Sequence, residues 1–193
     1  MFLLTSPDVR PLRSDAVRNR EQLLLVATRV LATDGTETSM RAIAREAGVG
    51  IGTLYRHFPT REALVEAVYS DQVDRLTTGA QELLAQHSPA IALRAWMDLY
   101  GEWIAAKSGM LDTLLAMVES GDLGHAQTRE KILEAISTIL RAGATRGDLR
   151  SDVTAIEVSA SLIGIFTVSK QAGGALRTDR LLDILLDGLR PTR

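Results

Sequence analysis

The chain has 193 residues, of which 46% are hydrophobic and only 4% aromatic, with a formal net charge of −2 and no cysteine. A chain of this length suits one medium domain, or a small domain joined to a larger one, and can bury a real core. The missing cysteines exclude a disulfide framework, a thiolate metal site and a cysteine nucleophile.

The Ala/Leu-rich composition, five prolines and lack of sustained alternation leave no convincing strand and predict an all-α fold. The opening Met1-Phe2-Leu3-Leu4 is too short for the apolar part of a signal peptide, lacks a basic lead-in and runs into Ser6-Pro7-Asp8. Residues 1–14, with two prolines, Arg10 and Arg13, read as a flexible arm. A first helix is expected from Ser14 or Asp15 to Asp34, with Leu23, Leu24, Ala27, Val30 and Leu31 on one face and Gly35 as its C-cap. No run of about 18 apolar residues occurs, so no membrane partner is expected and the expected location is cytoplasmic.

Residues 38–64 are the most informative stretch. Ile43, Ala44 and Ala47 recur at helical spacing, and Thr38 or Ser39 can cap the first N–H groups. Gly48 stands where the chain must turn, and Val49 and Leu54 supply apolar contacts across that turn. This is the make-up of a helix-turn-helix, whose second helix can lie in the DNA major groove. Gly50, Ile51, Gly52 and Thr53 are small or apolar and allow close approach to a surface. Tyr55, Arg56 and His57 follow with three donors suited to phosphate oxygens. The bland alternative is an ordinary corner between two helices, with Tyr55 and Phe58 only packing.

With its Ile-Ala, Ala-Gly-Val, Gly-Thr-Leu-Tyr and His-Phe elements in order, this segment resembles the DNA-binding signature of the TetR family of bacterial transcriptional regulators. The resemblance covers roughly residues 17–68 as motif; the rest matches the family in length and helical character. It departs from the pattern at Gly50, where a Ser or Thr cap is common. The resemblance implies about nine helices: an N-terminal three-helix DNA-binding domain over 15–60 and a C-terminal ligand-binding and dimerisation domain over 61–193. The expected DNA-contacting residues are Thr38, Ser39, Arg41, Gly50, Ile51, Gly52, Thr53, Tyr55, Arg56, His57 and Arg61, and the partner is a double-stranded operator.

Charge divides along the same line. Residues 1–61 hold nine arginines against six acids, a net of +3, and the remainder holds thirteen basic against eighteen acidic side chains, a net of −5. A basic head on an acidic body is the asymmetry expected where only the head meets DNA, although ordinary solvated charge gives the same count.

Thr60 then caps a long helix running to about Gln86, with Arg61 at its start and Glu62 complementing the positive helix end. Ser88-Pro89 opens a helix over 89–107. A shorter one over 110–119 follows Ser108-Gly109, and 121–124 is a loop. Ile132, Ile136, Ile139 and Leu140 stripe a helix over 127–146 that Gly147 stops. The last two helices, 153–172 and 178–189, are separated by Gly173-Gly174 and are apolar beyond one stripe. Such helices need two partners, or else pack wholly inside; the resemblance makes them a four-helix homodimer interface.

Trp96, Tyr100 and Trp103 stand at i, i+4 and i+7 and share a helix face. Plain core packing explains them singly. Together with Met110, Met117, Ile163 and Phe166 they also make up an apolar ligand pocket. The resemblance places an unidentified small-molecule effector there, among the fourth, fifth, seventh and eighth helices. His57, His87 and His125 lie far apart with no acid at ligand spacing, so no metal, cofactor or catalytic group is expected. The resulting expectation is a ligand-responsive repressor that binds a palindromic operator as a homodimer. The alternatives from other classes are a helical protein-interaction module and a small α-helical enzyme using the aromatic stripe.

Overall fold

The computed structural model describes residues 10–34, 38–119, 125–173 and 175–191, which form nine α-helices and no strand. They are α1 (Arg10–Asp34), α2 (Met40–Glu46), α3 (Ile51–His57), α4 (Arg61–Gln86), α5 (Pro89–Gly109), α6 (Leu111–Glu119), α7 (His125–Arg146), α8 (Ala155–Gln171) and α9 (Thr178–Gly188). The helix α1 begins at Arg10, earlier than Ser14. Pro11 sits in its first turn, where the missing N–H would have no partner in any case. Of the expected arm, residues 1–9 lie outside the described residues, as do Gly35, the loop at 121–124 and Gly174.

In the head, the stripe Leu23, Leu24, Ala27, Val30 and Leu31 of α1 is buried against Ile43, Ala44, Leu54 and Phe58. Two charged contacts at its surface add orientation. Arg29 meets Glu46 at 2.6 Å, joining α1 to α2, and the Arg20 guanidinium lies 5.5 Å from the centre of the Phe58 ring.

The body is built on α4 and α5, with α7 against both. Leu76, Leu93, Trp96 and Met97 meet Ile132, Ile136 and Ile139 in one continuous core. Trp96 is fully buried, and its Nε1–H donates to the Leu76 carbonyl at 2.8 Å, so this indole is a satisfied core group. Thr154 and Glu157 form a reciprocal capping box at the start of α8. Arg94 ties α5 to α9 through Asp183 at 2.8 Å.

Head and body meet where α5 ends. A Cβ built on Gly109 would collide with the backbone carbonyl of Leu31 in α1. Only glycine fits there.

Candidate nucleic-acid interface and ligand cavity

The turn of the helix-turn-helix follows from its backbone bonds. The Gly48 N–H donates to the Arg45 carbonyl at 3.1 Å and the Val49 N–H to the Ala44 carbonyl at 3.0 Å. That is a Schellman closure, and it requires the left-handed φ of +69° that Gly48 adopts. Space is not the reason, since nothing lies within 4 Å of where its Cβ would stand. Ser39 is the N-cap of α2, its Oγ accepting from the Ala42 N–H at 3.2 Å. Gly50 is the N-cap of α3 and supplies no side-chain bond.

Leu54 is fully buried and roots α3 in the head. Helical spacing then turns Ile51, Gly52, Tyr55 and Arg56 outward, with Thr53 and His57 half-buried. Tyr55 is 48% exposed, and Arg41 stands exposed on α2. These groups share the outer surface of the two short helices, free to meet a surface of phosphates and base edges. Thr38 and Arg61 are arranged differently. Thr38 is buried, and the half-buried Arg61 guanidinium donates to its carbonyl. This bond holds the start of α2 to the start of α4. Beside it, Glu62 caps its own helix end, and its backbone N–H and the Thr60 hydroxyl hold its carboxyl below the usual range.

In the body a cavity of about 270 Å³ opens between α4, α5, α7 and α8. Tyr100 and Trp103 line it from α5, their rings 5.3 Å apart, and Tyr69 lies 6.5 Å from Trp103. Ile132 and Ile163 complete the apolar wall, and Lys107, Thr128, Arg129 and Ser159 bring polar groups. Burial pushes the Tyr100 hydroxyl up, offset by a hydrogen bond with Ser159. Burial raises the Tyr69 hydroxyl too, opposed in part by Thr128 beside it. The Trp103 Nε1–H is buried and has no acceptor among the described residues, a condition that costs roughly 1–3 kcal/mol.

Of the residues predicted for a ligand, the fold therefore brings Tyr100, Trp103 and Ile163 to this cavity. Trp96, Met110 and Met117 are buried in the core and are not among its lining residues. Phe166 packs over Gly101 and lines a neighbouring hollow with Ala32 and Ile104. Tyr69, Lys107, Thr128, Arg129 and Ser159 were not singled out by the sequence, and Ile132 was read only as part of the α7 core stripe. They come from four separate helices, and for the five polar residues only their polarity beside apolar neighbours marks them beforehand.

On the outer side of α8, Ile156, Ile163 and Val168 are 57%, 49% and 50% exposed, and Ile184 of α9 is 54% exposed. Leu182, Leu186 and Leu189 instead turn into the core of their own chain. No group of side chains suited to holding a metal ion occurs among the described residues, and no described helix is long and apolar enough to cross a membrane.

Comparison with known proteins agrees with the two-part architecture. Residues 23–68 match the bacterial regulatory proteins of the tetR family, and residues 88–191 match the C-terminal domain of SbtR-like transcriptional regulators. The TetR transcriptional regulator SCO0520 of Streptomyces coelicolor, a solved structure, is 44% identical, with a TM-score of 0.82 over 90% of this chain and 99% of that one. A TetR transcription regulatory protein of Mycobacterium vanbaalenii is 36% identical, with a TM-score of 0.73 over 94% of this chain and 100% of that one. The HTH-type transcriptional regulator SAR0097 of Staphylococcus aureus (strain MRSA252) is 37% identical over 82 residues, which are 41% of this chain and 42% of the relative. The chain thus spans less than half the length of that curated relative. With both of its parts matched and the whole fold shared, the chain belongs to the TetR family of bacterial transcriptional regulators, and it is a DNA-binding regulator, not an enzyme.

Proposed function

We propose that the chain is a cytoplasmic repressor that binds a palindromic operator as a homodimer and leaves it when a small molecule enters the body cavity. The observation that carries this reading is the double role of α5. It lines the cavity with Tyr100, Trp103 and Lys107, and it abuts α1 of the head through Gly109. A ligand that shifts α5 therefore acts on the head directly, alongside any motion transmitted by α4.

On DNA, Ile51 and Thr53 are the residues nearest base edges, and Tyr55, Arg56, His57, Arg41 and Ser39 meet phosphates. The dimer forms through α8 and α9, on the exposed face of Ile156, Ile163, Val168 and Ile184. Ile163 also lines the cavity, so ligand and partner subunit act on one side chain. Two α3 helices must enter successive major grooves about 34–36 Å apart. An effector that binds a misaligned spacing more tightly shifts the population off DNA.

Selection of bound duplexes from a random pool tests the reading. The expected outcome is an inverted repeat with half-sites one helical turn apart; enrichment of single, unpaired half-sites would sink the dimeric mechanism.

A further inference from the structure

We infer that the cavity between α4, α5, α7 and α8 takes a small organic acid, its carboxylate held by Lys107 and Arg129 and its apolar body against Tyr100, Ile132 and Ile163. The inference rests on the ligand-responsive reading above and names the chemical class of the ligand. Its basis is an imbalance of polar groups. Two cations line the cavity, and among the described residues no carboxylate lines it or pairs with either of them. The Lys107 ammonium stands 5.1 Å from the centre of the Trp103 ring, a contact that gives partial compensation and supplies no counter-charge. Burial alone pushes the Lys107 ammonium below its ordinary value, so an anion arriving there meets a cation short of partners.

The remaining groups agree in sign. Trp103 carries a buried N–H with no acceptor among the described residues, and indole nitrogen can only donate. The hydroxyl of Ser159, beside that of Tyr100, also faces the cavity. A neutral apolar ligand would leave the Lys107 ammonium unanswered, and a cationic one would be repelled. A carboxylate answers the two cations, and a hydroxyl of the lining can add a hydrogen bond. Arg129 is exposed at the cavity edge, placing one cation at the entrance and the other deeper along α5. The volume of about 270 Å³ equals that of roughly nine water molecules in the liquid, which suits a single-ring or short-chain acid.

The test uses the full-length protein and four probes: benzoate, hexanoate and their neutral amides, benzamide and hexanamide. Binding is read at neutral pH by tryptophan emission and by the ligand-dependent rise in melting temperature, with operator release measured separately. The expected result is an acid bound at least tenfold more tightly than its amide. Lys107→Met, which keeps the apolar stem, and Arg129→Ala should each reduce that preference, while Lys131→Met, a surface cation outside the cavity, should leave it intact. Amides binding as well as acids would overturn the inference, and so would unchanged acid affinity in a folded Lys107→Met protein. Operator binding with no response to any probe up to millimolar concentration would also overturn it while leaving the regulator reading intact. Acid binding without operator release would uphold the site and overturn the effector mechanism instead.

Discussion

Gly109, the last residue of α5, lies against the backbone carbonyl of Leu31 in α1, closer than any residue with a side chain allows. Leu31 is fully buried and belongs to the stripe that covers the helix-turn-helix. The contact therefore joins the cavity-bearing helix to the centre of the head. Gly109→Ala must push α1 and α5 apart, a change of the overpacking kind that costs about 1–3 kcal/mol. The variant should melt lower by several degrees and respond less to ligand. A melting curve equal to wild type, with normal operator release, would show that the two helices separate freely.

The head offers a contrast between two residues six positions apart. Tyr55 is half exposed, so Tyr55→Phe should leave the melting temperature unchanged and weaken DNA binding by roughly 1.5–3 kcal/mol, about tenfold to a hundredfold. Arg61 instead braces the Thr38 carbonyl. Arg61→Ala should lower the melting temperature as well as DNA affinity, with the stability loss near 1 kcal/mol, or about 2–4 °C. Paired melting and titration of the two variants separates the roles. Equal melting temperatures would remove the structural role of Arg61.

Assembly can be probed on the two faces of α9. Ile184 is 54% exposed, whereas Leu182 is 2% exposed. Ile184→Arg should give folded monomers with little operator affinity. Leu182→Arg should fail to fold, because burying the unpaired charge costs several kcal/mol. Sedimentation velocity with circular dichroism distinguishes these outcomes, and dimeric Ile184→Arg protein would move the interface elsewhere.

Lys107 sets a pH dependence. Burial lowers its folded value below the ordinary 10.5, so the unfolded chain holds this proton more tightly than the folded one. Stability from this group therefore rises as pH climbs from below the folded value towards 10.5. Lys107→Met should melt higher than wild type at pH 7, and the gap should close on approaching pH 10. A gap independent of pH would show that the ammonium is already well solvated.

What the sequence disclosed depended on how local each cause is. Ser39, Gly48 and Thr60 act within a few residues of themselves, so the caps and the turn of the head were readable in order. The α1 and α7 stripes were equally plain, since burial of one face repeats every helical turn. Arg61 was read only as a DNA contact, and its bond to the Thr38 carbonyl could not be seen because the two are 23 residues apart in the chain. The cavity was half legible. Tyr100, Trp103 and Ile163 stood out by aromatic or apolar spacing, whereas nothing in the sequence marked Lys107 and Arg129, which reach the cavity only because α5 and α7 pack side by side. Met110 and Met117 carried the same apolar signal as pocket walls, and packing put them in the core. Ser14, a plausible cap, did not stop α1, because a proline at position 11 costs a first turn almost nothing.

The length of α4 gives small movements a long reach. Its 26 residues span about 39 Å at a rise of 1.5 Å each. A swing of only about 5° around its far end carries its first turn through about 3 Å over that length. Two subunits swinging in opposite directions would alter the distance between their heads by about 7 Å, roughly a fifth of the 34–36 Å that separates successive major grooves. The Arg61–Thr38 bond fastens that first turn to the start of α2, and Arg29–Glu46 fastens α2 to α1, so under the proposed mechanism the head would follow the first turn of α4.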